Sequence, residues 1–165
     1  MWTLRQPFPL VLGMRLYLIC TPAGMPVLWA LADPKVGERE VLAAMLDVEP
    51  QLATARHGLA LITDKGFAGR KAEADLATGG ITLLRPARKD EPARHGEPLL
   101  KSVRHLIESV KDTLKGQLDL EAHGGRTFDG VAIRVAQRIL AMATAIWHNN
   151  KTGQPVTRSL IAYDH

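Results

Sequence analysis

From residue 13 onward the chain alternates. In GMRLYLIC, residues 13–20, Met14, Leu16, Leu18 and Cys20 share one face and Arg15, Tyr17 and Ile19 the other, which is the two-residue period of a strand. TPAGMP marks a turn, and VLWAL at 27–31 reads as a second strand, so 13–31 is expected to form a β-hairpin. Gly37-Glu38-Arg39-Glu40 opens a helix with acids in its first turn, and Val41, Leu42, Met45 and Leu46 give it an apolar stripe. LALIT at 59–63 is a short buried strand, RKAEADLAT at 70–78 a helix closed by Gly79-Gly80, and ITLLR at 81–85 another strand.

Residues 86–98, PARKDEPARHGEP, mix three prolines with a run of bases and predict an exposed loop that packs no core. A long helix follows over about 99–118, with Leu99, Val103, Leu106, Ile107, Val110, Leu114 and Leu118 as its stripe. A last helix covers about 130–148, with Val131, Val135, Ile139, Met142 and Ile146 on one face. Trp29 and Trp147 fall on apolar faces and are expected in the core. The order ββαβαβαα predicts an α/β domain with helices packed on a mixed sheet.

At 165 residues the chain is long enough for one domain with a real core, and 46% hydrophobic residues exclude a disordered chain. One cysteine, Cys20, excludes a disulfide framework and fits a reducing cytoplasm. The formal charge is +4; residues 1–50 hold four basic and five acidic residues, so the excess lies in the rest of the chain. That tilts the expected partner toward polyanions. The opening MWTLRQPFPLVLGMRLYLIC has an early arginine and an apolar run, but Pro7, Pro9, Gly13 and Arg15 interrupt it and no small-residue cleavage site follows. No stretch is read as a membrane span. The expectation is a cytoplasmic protein without a membrane partner.

Asp64 stands where the strand LALIT meets a turn, in LALITDKGFAG. The carboxyl ends of strands in open α/β sheets are where ligands and catalytic groups gather, and a carboxylate there can hold a divalent cation. Asp is equally a common turn residue. On the helix LLKSVRHLIESVKDTLKGQL, Lys101, Arg104, Glu108, Lys111 and Lys115 share one side at helical spacing. This face is either a solvated row of salt bridges or a carboxylate ligand flanked by bases that grip phosphates. Two hard oxygen ligands beside a basic surface suit metal-dependent phosphodiester chemistry. The six histidines have no zinc-like spacing, and neither a phosphate-cradling glycine motif nor a GxSxG elbow is present.

These blocks, in their order and spacing, resemble the DDE-class transposases of bacterial insertion sequences. RLYLICTPAGMPVLWAL with EREVL looks like the family's strand pair and first helix, ITDKGF like the block of its second catalytic aspartate, and IESVKDTLKGQLDLEAHGGRT like the block of its glutamate. The closing IWHNN and RSLIAYDH are similar too, and the resemblance covers residues 13–165 as a partial catalytic domain, with 1–12 outside it. It implies a ribonuclease-H-like mixed sheet flanked by helices, and DNA transposition by strand cleavage and transfer. It also implies two Mg²⁺ (or Mn²⁺) ions held by Asp64 and Glu108. Arg104, Lys111 and Lys115 would hold DNA phosphates; Lys65 and Arg126 could do so or be solvated surface bases. The implied partners are the element's terminal inverted repeats, target DNA, and a second copy or an intact transposase.

One family feature is missing. The first catalytic aspartate should end a strand before the hairpin, and MWTLRQPFPLVL contains no acid. Asp33, on the hairpin's second strand, is a poor substitute. The expectation is therefore a chain truncated at its N-terminus, with a sheet that has lost a strand and weak or absent catalysis. The alternative is a non-catalytic DNA-binding remnant.

Overall fold

The computed structural model describes residues 2–4, 8–11, 13–54, 58–94, 96–122 and 124–155. Its strands are β1 (Trp2–Leu4), β2 (Phe8–Val11), β3 (Met14–Cys20), β4 (Pro26–Ala32), β5 (Leu59–Ile62) and β6 (Ile81–Leu84). Its helices are α1 (Glu38–Val48), α2 (Gln51–Thr54), α3 (Arg70–Thr78), α4 (Glu97–Asp112) and α5 (Phe128–Thr152). The hairpin forms as expected: β3 and β4 pair antiparallel from Arg15↔Ala32 to Cys20↔Pro26. β5 and β6 pair in parallel from Leu59↔Ile81 to Ile62↔Leu84, with α3 as the crossover between them.

The expected gap in the sheet is not there. β1 pairs antiparallel with β3 (Thr3↔Cys20) and parallel with β5 (Thr3↔Ile62), so it joins the hairpin to the parallel pair. β2 continues along the same edge of β3, where Phe8 faces Leu16. Its Pro9 lacks an N–H and is tolerated because β2 pairs with β3 alone. The physical reason for the correction is backbone demand. The facing edges of β3 and β5 leave donors and acceptors that any extended segment can pair with, whatever its side chains.

The sheet is covered on both faces. Leu16, Leu18 and Cys20 point into a core with Val110, Leu114 and Leu120 and the α5 residues Val131, Val135, Ile139, Met142 and Ile146. Tyr17 and Ile19 point the other way, against Val41, Leu42 and Met45 of α1 and Leu59, Leu61, Phe67, Ile81 and Leu83. β3 is thus buried on both sides, and its alternation separates two cores rather than core from solvent.

Two further expectations change. The helix expected to 118 is α-helical only to Asp112; Thr113–Gln117 is a π-helical turn, closed by Leu118 N donating to Thr113 O at 3.0 Å. Trp147 is not core: it is 56% exposed, because α5 carries two apolar stripes and the sheet takes the other one. α5 is also long and apolar enough to cross a membrane by length and composition, although seven of its residues are buried in this fold. His57, His95, His123 and RSLIAYDH lie outside the described residues.

Candidate active site

β5 ends at Ile62, and Thr63 extends the pairing by donating its N–H to Leu84 O at 2.9 Å. Asp64 comes next and caps a short 3₁₀ turn, Lys65–Phe67, with its Oδ1 accepting from Gly66 N at 2.8 Å. Phe67 is buried and anchors the turn. The turn reading of Asp64 is observed directly in this cap. One oxygen makes the turn; the other, Oδ2, is buried with no hydrogen-bond partner among the described residues, which is costly unless something satisfies it.

A second carboxylate stands beside it. Glu38, in the first turn of α1, has its pKa raised by burial and then by the charge of Asp64, with Arg15 opposing the shift. Gly66 shows how close the two acids are. A methyl group on Gly66 would stand 3.0 Å from Asp64 Oδ1 and 3.1 Å from Glu38 Oε2. Gly66 thus supplies space between two carboxylates as well as the turn. In the sequence Glu38 reads only as a first-turn acid complementing the helix dipole. Its position at the start of the first helix after the hairpin was the signal available.

The other expected site residues are more dispersed. α4 keeps Arg104, Glu108 and Lys111 along one flank, with Arg104 and Glu108 exposed and Lys111 half-buried. The Glu108 carboxylate faces His105 Nδ1 at 3.8 Å. No hydrogen bond or ion pair joins Glu108 to Asp64 among the described residues, and no three acids, histidines or cysteines there gather closely enough to hold a metal. The π-turn takes Lys115 out of the row and sets its Nζ 2.5 Å from Glu121 Oε1. Lys65 is exposed beside Asp64, and Arg126 is exposed just before Thr127, the N-cap of α5. Asp33 is taken up in a local turn, accepting from Lys35 N at 2.8 Å. The side chain of Lys101 lies outside the described residues.

At the end of β6, next to Asp64's strand, the loop is exposed at Arg88–Asp90 as expected, and it is tied down by its charged side chains. Arg85 is only 3% exposed. Its Nε donates to Glu73 Oε1 at 2.8 Å, and Nη1 donates to Pro86 O at 3.0 Å and Glu91 Oε2 at 2.6 Å. Nη2 donates to Glu91 Oε1 at 2.9 Å and lies 2.8 Å from Glu73 Oε1. Arg94 also reaches Glu73, at 2.8 Å. The guanidinium thus makes four hydrogen bonds, and Nη2 faces Glu73 as an ion pair besides. Hydrogen bonds from Arg85 hold Glu91 down at about 2. Burial would raise Glu73, but bonds from Arg94 and Arg85 win and lower it. Arg88 Nη2 pins the same loop to Ala68 O at 3.2 Å, just past the Asp64 turn.

The strand order β4-β3-β1-β5-β6, parallel at β1, β5 and β6 and covered by helices on both faces, is a ribonuclease-H-like fold. The catalytic core domain of BIV integrase, a retroviral integrase core, is similar to this chain. Its crystal structure superposes with a TM-score of 0.54 at 14% sequence identity, over 86% of this chain and 81% of that one. No protein-family profile and no curated protein sequence matches the chain.

Proposed function

We infer that the chain belongs to a metal-dependent machinery of DNA strand cleavage and transfer, as the catalytic region of a DDE-class transposase. The observation that carries this reading is the carboxylate at the carboxyl end of β5 in a ribonuclease-H-like sheet, with Glu38 beside it and Asp64 Oδ2 unsatisfied. Two crowded carboxylates, one oxygen buried without a donor, fit a hard divalent cation such as Mg²⁺ or Mn²⁺. Asp64 and Glu38 would hold it, and Glu108 is the further ligand that the sequence proposes. When bound, such a cation supplies Lewis acidity for in-line displacement at phosphorus.

The chain's own residues do the rest. Asp64 is held rigidly by the strand and the Phe67 anchor, so its free oxygen keeps one direction. Lys65, Arg104 and Lys111 offer cations to phosphates of the DNA backbone, and Arg126 extends that surface. Lys115 joins them only by leaving Glu121. β1 brings no carboxylate of its own, and Glu108 rests against His105; these two observations favour a second reading, a DNA-binding remnant that works with an intact transposase.

The test is nicking of supercoiled DNA by the purified chain with Mg²⁺ or Mn²⁺, beside Asp64→Ala and Glu38→Gln. Metal-dependent nicking lost in Asp64→Ala supports the enzyme. Nicking that survives in Asp64→Ala overturns the assignment of Asp64. Salt-sensitive DNA binding with no nicking supports the remnant. Neither binding nor nicking overturns both readings.

A further inference from the structure

Arg15 is half-buried by the fold and given no anion. It stands at the start of β3, pairs through its backbone with Ala32, and its side chain has neither a hydrogen bond nor an ion pair among the described residues. Other arginines nearby are committed: Arg85 to Glu73 and Glu91, Arg88 to Ala68 O, and Arg39 against Gly69. A half-buried guanidinium without a counter-charge is costly unless a ligand supplies one.

The topology puts Arg15 at the Asp64 corner. β1 runs parallel to β5 and antiparallel to β3, so β3 begins at the end of the sheet where β5 finishes. By strand alternation Arg15 shares the side of Tyr17 and Ile19, which is the side that α1 covers. β4 ends opposite Arg15 and leads to Glu38 in the first turn of α1. The charge of Arg15 is felt there: burial and Asp64 raise the Glu38 pKa, and Arg15 opposes them. One corner thus holds a carboxylate oxygen without a donor and a guanidinium without an acceptor among the described residues, and the two do not pair with each other. The first needs a cation and the second an anion.

The planar fork of arginine matches two nonbridging oxygens of a phosphate. The charges agree. Asp64 and Glu38 cancel one divalent cation, and no third acid gathers there among the described residues; Arg15 then cancels the single charge of one phosphodiester. We propose, on the reading of Asp64 and Glu38 as cation ligands, that Arg15 grips the DNA phosphate at this site and supplies the positive charge a second cation would bring, so that the chain takes up one cation and not two. In-line displacement adds negative charge to those oxygens, where a fixed guanidinium stabilises the transition state more than the ground state.

The test uses the whole chain, Mn²⁺ alone and a short DNA duplex. Calorimetric titration without DNA should give one Mn²⁺ per chain. Arg15→Gln removes a like charge beside the cation, so Mn²⁺ should bind roughly threefold tighter or more. DNA should respond the other way. Fluorescence anisotropy should show Mn²⁺ strengthening DNA binding by the wild type; with Mn²⁺ present, Arg15→Gln should bind roughly tenfold more weakly, with a salt slope shallower by about one. An arginine that only supported the fold would not shift the two affinities in opposite directions. Arg15→Lys keeps the charge without the fork, so Mn²⁺ affinity should stay at the wild-type value while DNA binding still falls; it carries the test if Arg15→Gln fails to fold. Two Mn²⁺ per chain, or one with DNA binding unchanged in both variants, overturns the role of Arg15 and leaves the cation site standing. No Mn²⁺ bound, or binding untouched in Asp64→Asn, overturns the cation site and with it the role of Arg15.

Discussion

Two neighbouring strand ends carry opposite solutions to the same problem. At the end of β6, Arg85 is buried, and its guanidinium makes four hydrogen bonds and pairs with two carboxylates, Glu73 and Glu91. At the end of β5, Asp64 leaves one buried oxygen without a donor among the described residues, and the charge it presses on is that of another acid, Glu38. The first arrangement is complete and needs no ligand. The second is stable only at a cost that a bound cation would remove. A charged residue at a strand end is therefore not a site in itself; what distinguishes the two is whether the surrounding groups already cancel the charge.

The comparison breaks most severely at Arg85. Arg85→Leu leaves Glu73 and Glu91 without their shared partner and frees the 85–94 loop. We expect a loss of about 3 kcal/mol, read as a fall of roughly 6–12 °C in the thermal midpoint. Asp64→Asn at the neighbouring strand end should not destabilise the cation-free chain in this way.

The second expectation concerns the cation. Saturating Mn²⁺ or Mg²⁺ should raise the wild-type midpoint, by about 2.7 kcal/mol of stability at a hundredfold excess over the dissociation constant. Asp64→Asn and Glu38→Gln should abolish that rise, and Arg85→Leu should keep it. A rise of equal size in Asp64→Asn would place the cation elsewhere.

A smaller effect is expected at Gly66. Gly66→Ala forces a methyl between the two carboxylates, costing roughly 1 kcal/mol through local displacement, and it should weaken cation binding more than it lowers stability. Calorimetric titration beside a melting curve separates the two.

The smallest expected effect is with pH, because both carboxylates around Arg85 are partly solvated. Glu91 and Glu73 are lowered from an ordinary value near 4.5, Glu91 to about 2. Their contribution is complete above about 4.5 and is lost as pH falls toward 2. Glu38 runs the other way: its raised pKa favours folding at low pH and loses that contribution as pH rises through its folded value. Urea midpoints measured between pH 6 and pH 3 should fall in the wild type and be nearly flat in Arg85→Leu.

Where a periodic stretch was long and one element decided its fate, the fold was legible in the sequence. The alternation of Met14, Leu16, Leu18 and Cys20 predicts β3, and RKAEADLAT predicts α3 at its observed bounds. Three-residue β1 was not legible, because Trp2–Leu4 is too short to show a period and its pairing comes from distant edges. Trp147 was misplaced because α5 has two stripes and the sequence does not say which one meets the sheet. Asp64 stood out by its place after a buried strand. Glu38 did not, because an acid in a first helical turn already has a sufficient local reason. The π-turn was hidden as well: TLKGQ continues a helical pattern.

β1 has a consequence for how the chain reaches its fold. The β3–β4 hairpin and the β5–α3–β6 crossover each close through short connections and can form early. β1 is what hydrogen-bonds one to the other, and its Trp2–Leu61 pairing spans the hairpin, α1 and α2. Closing so long a loop is entropically late and yields few bonds. Assembly should thus end with a short latch, and transient opening of that latch should part the molecule between hairpin and crossover beside the strand that carries Asp64. Amide protons of Thr3 and Leu4 would then exchange well before those of the hairpin's own ladder.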